Sequence, residues 1–156
     1  IYQCDWSSDV CSSDLQDTYN LERFNYLIQG NITVMGRRTW ERLKTTDQLD
    51  QDRAYVFSRR SRIKNWLNGD TVAEILALEQ RNPDRSICLL GGAEILEKCT
   101  GIIDSIYLTH IKGSFKIDTK IDLKTFLTGF TPVRADVGAG FRSTLVRYEP
   151  IFKRKI

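Results

Sequence analysis

"ITVMGRRTWERL", residues 32–43, decides the fold reading. Ile32 to Met35 is a short apolar run rich in β-branched residues, and Gly36 closes it. "RRTWERL" then sets Trp40 and Leu43 on one side of a helix. A strand running straight into a helix is a βα unit, and the sequence on either side repeats it.

Upstream, "NLERFNYLIQGN" spaces Leu21, Phe24, Leu27 and Ile28 as one helical face and ends on Gly30, predicting a helix over about residues 17–29. Downstream, "AYVFS" reads as a strand ending at Ser58, followed by the basic turn "RRSR". "DTVAEILALEQ" opens with a Thr71-x-x-Glu74 capping box and carries Val72, Ile75, Leu76 and Leu78. After the breaker "NPD", "SICLL" is a continuous apolar run of the kind buried on both faces of a parallel sheet, and it ends in Gly91-Gly92. "AEILEKCTG" reads as a helix with a glycine stop, and "SIYLTHI" as another strand. The tail segments "FTPVRADVG" and "FRSTLVRYEPI" alternate like antiparallel strands around a turn at residues 138–140. The expected fold is α/β: a mixed, mostly parallel central sheet with helices on both faces and an antiparallel C-terminal hairpin.

At 156 residues, 41% hydrophobic and 28% charged, the composition is that of one soluble globular domain. No run reaches the roughly 20 apolar residues of a membrane span, and the start lacks a signal peptide's basic flank and apolar core. A cytoplasmic protein is expected, without membrane or nucleic-acid partners. No CxxC pair or Cys/His cluster has metal-ligand spacing, so no metal is expected, and Cys88 and Cys99 read as buried side chains.

Residues 5–15, "DWSSDVCSSDL", have neither helical nor strand period. They resemble what a common short-read sequencing adaptor encodes when translated in one frame. Residues 1–15 are therefore read as a non-biological, adaptor-derived segment, and residues 16–156 as the domain. Setting the segment aside removes Asp5, Asp9 and Asp14 and no Lys or Arg from a formal balance of +3, leaving the domain mildly basic.

Ligands of parallel sheets bind beyond the carboxyl ends of the strands. Three such ends suit phosphate. Gly36 leads into Arg37, Arg38 and Thr39 at a helix start; "FSRR" supplies Ser58, Arg59 and Arg60; and "LLGGAE" combines side-chain-free backbone with a helix N-terminus. The GxGxxG pattern of a Rossmann site is absent.

"ITVMGRRTWERL", "YVFSRR", "ICLLGGAEIL" and "IYLTHIKGSFKIDTKI" resemble, in order and spacing, the dihydrofolate reductase family, from about Asn20 to the C-terminus. The resemblance implies that family's eight-stranded mixed sheet and NADPH-dependent reduction of dihydrofolate to tetrahydrofolate, by hydride transfer from the nicotinamide with protonation of the pterin. It also implies a monomer that binds dihydrofolate and, as further ligands, antifolates such as methotrexate or trimethoprim. Bacterial or phage origin fits this reading.

For the cofactor, the resemblance implies that Gly36, Arg37, Arg38 and Thr39 meet the phosphates. Phe57, Ser58, Arg59 and Arg60 lie at the 2′-phosphate, favouring NADPH over NADH. Leu90, Gly91 and Gly92, with a cis peptide between the glycines, lead through Ala93, Glu94 and Ile95 into the helix at the pyrophosphate. On the substrate side, Thr109 would hydrogen-bond the pterin and its acid partner. Phe24 and Leu43 would clamp the aminobenzoyl ring, with Thr39 and Leu90 beside them. Phe24, Leu43 and Leu90 would be apolar on those faces in any case. His110, on the opposite face of its strand from Thr109, reads as a structural or surface residue.

Four departures from the family pattern bear on catalysis. The catalytic carboxylate aligns with Asn20, which can hydrogen-bond the pterin but cannot raise its proton affinity. Asp17, one helical turn earlier, is the other candidate. The arginine for the folate glutamate is Arg53 only if one residue is deleted, since a gapless alignment puts Asp52 there. Leu96 replaces a tyrosine near the nicotinamide, and the Asp118-Thr119 pair lacks its usual proline.

The family's first strand and mobile loop cannot be read in residues 1–15, so the first strand is expected to be missing and the chain impaired. Two other readings share the fold: the pyrimidine reductase of riboflavin synthesis, which "MGRRTW" and "YLTHI" fit less well, and a reductase-fold domain with a structural role in a phage.

Overall fold

The computed structural model describes residues 2–3, 18–59, 63–111, 122–137 and 143–152. Asp17, Arg60, the Asp118-Thr119 pair, the turn at 138–140 and the adaptor-like stretch lie outside the described residues. Among the described residues, eight strands and five α-helices follow one another: β1 (Tyr2–Gln3), α1 (Thr18–Ile28), β2 (Ile32–Gly36), α2 (Arg37–Leu43), β3 (Ala54–Phe57), β4 (Trp66–Leu67), α3 (Thr71–Arg81), β5 (Ile87–Gly91), α4 (Ala93–Lys98), β6 (Ile106–Ile111), α5 (Leu123–Phe126), β7 (Phe130–Val137) and β8 (Ser143–Pro150).

The strands form two four-stranded sheets. One, ordered β4-β3-β2-β5, is wholly parallel; the other, β1-β6-β8-β7, joins a parallel β1-β6 pair to the antiparallel ladders of β6, β8 and β7. β1 also borders β5, so it lies at the seam of the two sheets. Where the sequence reading has the first strand missing, two residues stand in the ladder, Tyr2 opposite Tyr107 and Gln3 opposite Leu108. A two-residue strand pairs with one neighbour only, which is why the expected single sheet is divided.

The period-2 alternation of the parallel strands sends successive side chains to opposite faces, and each face has its own core. Ile32, Val34, Leu89, Ile106 and Leu108 pack with Ile75 and Leu78 of α3 and Ile95 and Leu96 of α4. Met35, Val56, Cys88 and Leu90 pack with Phe24 and Ile28 of α1 and Leu43 of α2. Helices thus cover both faces, as the apolar runs "ITVM" and "ICLL" require. Arg23 of α1 donates to Asp136 of β7 (Nη1 to Oδ2, 2.9 Å), tying the first helix to the far strand of the second sheet.

Two local expectations are corrected. The cap of α3 is Asp70, whose carboxylate accepts from the Ala73 N–H at 3.0 Å, so Thr71 is the first helical residue and not the cap. α4 ends at Lys98 with Cys99 as its C-cap, and Gly101 belongs to a separate 3₁₀ turn, Thr100–Ile102. Cys88 and Cys99 are both buried, and burial pushes the Cys99 thiol up to about 11. His110 is exposed, with Nε2 3.2 Å from the Tyr148 hydroxyl.

Candidate active site

β2, β3 and β5 are parallel neighbours, so their carboxyl ends come out side by side, and a cleft of about 1120 Å³ opens there. Its floor is the pair of strand-to-helix turns. Gly36 caps α2 and Gly92 caps α4 with extended backbone, and neither has a side chain to satisfy the first-turn N–H groups. The peptide bond between Gly91 and Gly92 is cis, and Gly91 has φ +125°, a conformation that side chains disfavour. A Cβ on Gly91 would stand 3.6 Å from the hydroxyl of Thr39, which is itself buried.

Around this floor the cleft gathers Arg37, Arg38, Arg42, Arg59 and Lys98 against two carboxylates, Glu41 and Glu94. Both acids are engaged: Arg37 Nε donates to Glu41 at 3.1 Å and Lys98 Nζ to Glu94 at 3.0 Å. The Lys98 hydrogen bond and charge, with the charge of Arg59 added, hold the Glu94 carboxyl below its ordinary range. The balance of the lining is therefore positive, suited to a polyanion.

Of the residues singled out for a cofactor, Gly36, Arg37, Arg38, Thr39, Phe57, Ser58, Arg59, Gly92, Ala93, Glu94 and Ile95 all line this cleft. Leu90 does not: it is buried in the Phe24 core. Gly91 is buried beneath the lining. The far wall is made by residues that sequence reasoning missed, Leu67, Asn68 and Gly69. They arrive because β4 pairs parallel to β3, Leu67 opposite Phe57, and the Leu67 carbonyl accepts from the Ser58 N–H at 3.1 Å.

On the other side of the sheet, Phe24, Leu43 and Leu90 meet in one buried cluster that also holds Leu145. Thr109 lies directly opposite Leu145 in the β6-β8 ladder, and cross-strand partners share a face, so Thr109 belongs to this side. Thr109 is 5% exposed, and among the described residues its hydroxyl has no hydrogen-bond partner. A buried orphan hydroxyl costs free energy that a polar ligand would recover. Asn20 stands in the first turn of α1, four residues before Phe24. Arg53 is not in this cluster. It lies at the edge of a separate hollow of about 620 Å³ between the end of α1 and residues 47–50, and its Nη1 is 3.3 Å from Asp50 Oδ2. Leu96 is fully buried in the opposite core.

Residues 16–136 match the family model described as dihydrofolate reductase. The chain belongs to the dihydrofolate reductase family. It is 31% identical over 113 residues to "Dihydrofolate reductase type 8" of Escherichia coli, and equally to that of Shigella sonnei; the alignment takes in 67% of this chain and 65% of each relative. The chain thus spans about 65% of the length of these curated relatives. The family match favours dihydrofolate reductase over the riboflavin-pathway reductase. Family members use a nicotinamide cofactor, and the basic cleft with its glycine floor fits the phosphates of one. Among the described residues no helix is long and apolar enough to cross a membrane.

Proposed function

We propose that this protein carries out the NADPH-dependent reduction of 7,8-dihydrofolate to 5,6,7,8-tetrahydrofolate, serving one-carbon and thymidylate metabolism. The observation that carries this reading is the cleft at the joined ends of β2, β3 and β5, basic at its rim and bare backbone at its floor. NADPH held there would supply the hydride.

The chain's own residues bind and orient. Arg37, Arg38 and Thr39, with the N–H groups after Gly36 and Gly92, hold the pyrophosphate. Ser58 and Arg59, with Arg60 beyond the described residues, hold the 2′-phosphate, and a guanidinium matches that dianion better than any neutral group. Phe57, Ala93, Glu94 and Ile95 shape the walls, while Leu90 and Gly91 support the floor. On the substrate side Thr109 donates or accepts at the pterin, and Phe24 and Leu43 exclude water beside the ring.

Proton supply is the weak point of this chain. Asn20 at the family's acid position can orient the pterin but holds no proton to move, and Asp17, three residues earlier, is the other candidate for the acid. Residues 1–15 are a foreign, adaptor-derived segment in this proposal, and only Tyr2 and Gln3 stand in the β1 ladder. Turnover is accordingly slow in the chain as it stands. The test is NADPH oxidation with dihydrofolate, compared with Asn20→Asp across pH. Slow parent turnover and a gain in rate for the variant below its carboxyl pKa are expected; normal parent rates, or no gain, would count against this account.

A further inference from the structure

The hollow beside Arg53 carries a second, independent message about the substrate. It is continuous with the apolar cluster of Phe24 and Leu43, because Ile28 and Leu49 belong to that cluster and also line the hollow. A substrate seated against the cluster and extending outward would enter here. Among the described residues, the charged members of the lining are Glu22, Asp47, Asp50 and Arg53, three carboxylates against one guanidinium.

That guanidinium is already engaged. Asp50 Oδ2 lies 3.3 Å from Arg53 Nη1, while Asp50 Oδ1 accepts from the Asp52 N–H at 3.0 Å as the cap of the 3₁₀ turn Gln51–Arg53. Asp50 thus sets its negative charge beside Arg53 through one contact of the guanidinium. The next acid, Asp52, is held by Lys64. An anionic tail would compete with Asp50 for Arg53 and would meet Glu22 and Asp47, with no second cation among the described residues of the lining.

We propose that Asp50 is a specificity-determining residue which, with Glu22 and Asp47, makes this chain prefer pteridine substrates whose tails carry little negative charge, taking tail-free or singly glutamylated forms ahead of polyglutamylated ones. The inference rests on the reductase reading above. It is tested by fluorescence titration of the full chain at low salt with dihydropteroate, dihydrofolate and dihydrofolate pentaglutamate.

Affinity falls as glutamates are added, by about fivefold or more at the pentaglutamate, and salt narrows the gap. Asp50→Asn, which keeps a capping side chain, tightens the pentaglutamate by about two- to fivefold and leaves dihydropteroate unchanged. Asp47→Asn, away from the turn, shifts affinity in the same direction. Pentaglutamate binding as tight as or tighter than dihydropteroate overturns the inference while leaving the reductase reading intact. Failure to bind any of the three overturns both.

Discussion

Gly36 and Gly92 meet at the head of the basic cleft: a Cβ on Gly36 would stand 3.5 Å from the Gly92 nitrogen and 3.4 Å from Ile95 Cδ1. The two strand-to-helix turns leave room there for a methyl group and little more. Gly36→Ala makes ordinary contact, so the fold is kept within about 1 kcal/mol, but the methyl group occupies space a phosphate would use. Gly36→Val overfills the turn and costs about 1–3 kcal/mol. Denaturant unfolding and NADPH titration separate the two effects: the alanine variant loses cofactor affinity by more than it loses stability.

Thr109 behaves in the opposite way. Its buried hydroxyl has no partner among the described residues, so it stabilises nothing that Thr109→Val would lose. The variant is nearly the same shape and is expected to be as stable as the parent or more stable by about 1 kcal/mol. Methotrexate or dihydrofolate affinity falls, because the pterin loses its hydroxyl partner. Chemical denaturation and ligand titration on the same two proteins test both halves. A destabilised Thr109→Val would show that the hydroxyl has a structural partner.

The Arg23–Asp136 pair gives the fold an acid-sensitive tie. The Arg23 hydrogen bond, the largest influence, holds the Asp136 carboxyl below its ordinary range, with the charges of Arg23 and Arg134 assisting. A folded-state pKa below the unfolded one adds stability that is fully present above the unfolded value, roughly 3.9. That stability is lost as pH falls through the lower, folded value. Unfolding free energy measured from pH 6 down to pH 2 should decline less steeply in Asp136→Asn. The variant is weaker at neutral pH by up to about 1 kcal/mol, the scale of a part-exposed pair.

Much of this architecture is legible in the sequence where a physical pattern is long enough to repeat. "ITVMG", "ICLLG" and the 3.6-residue period of residues 71–81 coincide with β2, β5 and α3. β4, at two residues, and α5, at four, are too short to carry a period, and they form because tertiary neighbours receive them. Asp70 and Thr71 are both good caps for α3, so the sequence pattern points one residue past the true cap, and only the backbone path chooses between them.

The candidate site divides in the same manner. Glycines and arginines at strand ends announce the cleft, since close backbone approach and anion binding each need a particular residue type. Leu67, Asn68 and Gly69 reach it only through the pairing of β4 with β3, a long-range contact. The place of Arg53 in the hollow that adjoins the Phe24 cluster, and its pairing with Asp50, depend on the path of residues 44–53, which no local pattern fixes.

The reading turns on what Arg59 does at the end of β3. It is exposed on the cleft wall beside Ser58, where the proposal puts the 2′-phosphate that NADPH has and NADH lacks. The decisive measurement is the pair of dissociation constants for NADPH and NADH in the parent and in Arg59→Ala. NADPH should bind the parent at least about tenfold more tightly, and Arg59→Ala should remove most of that difference by weakening NADPH alone, as loss of a charge-assisted phosphate contact would. Equal binding of the two cofactors by the parent, or an unchanged preference in the variant, would contradict the assignment of this cleft to NADPH.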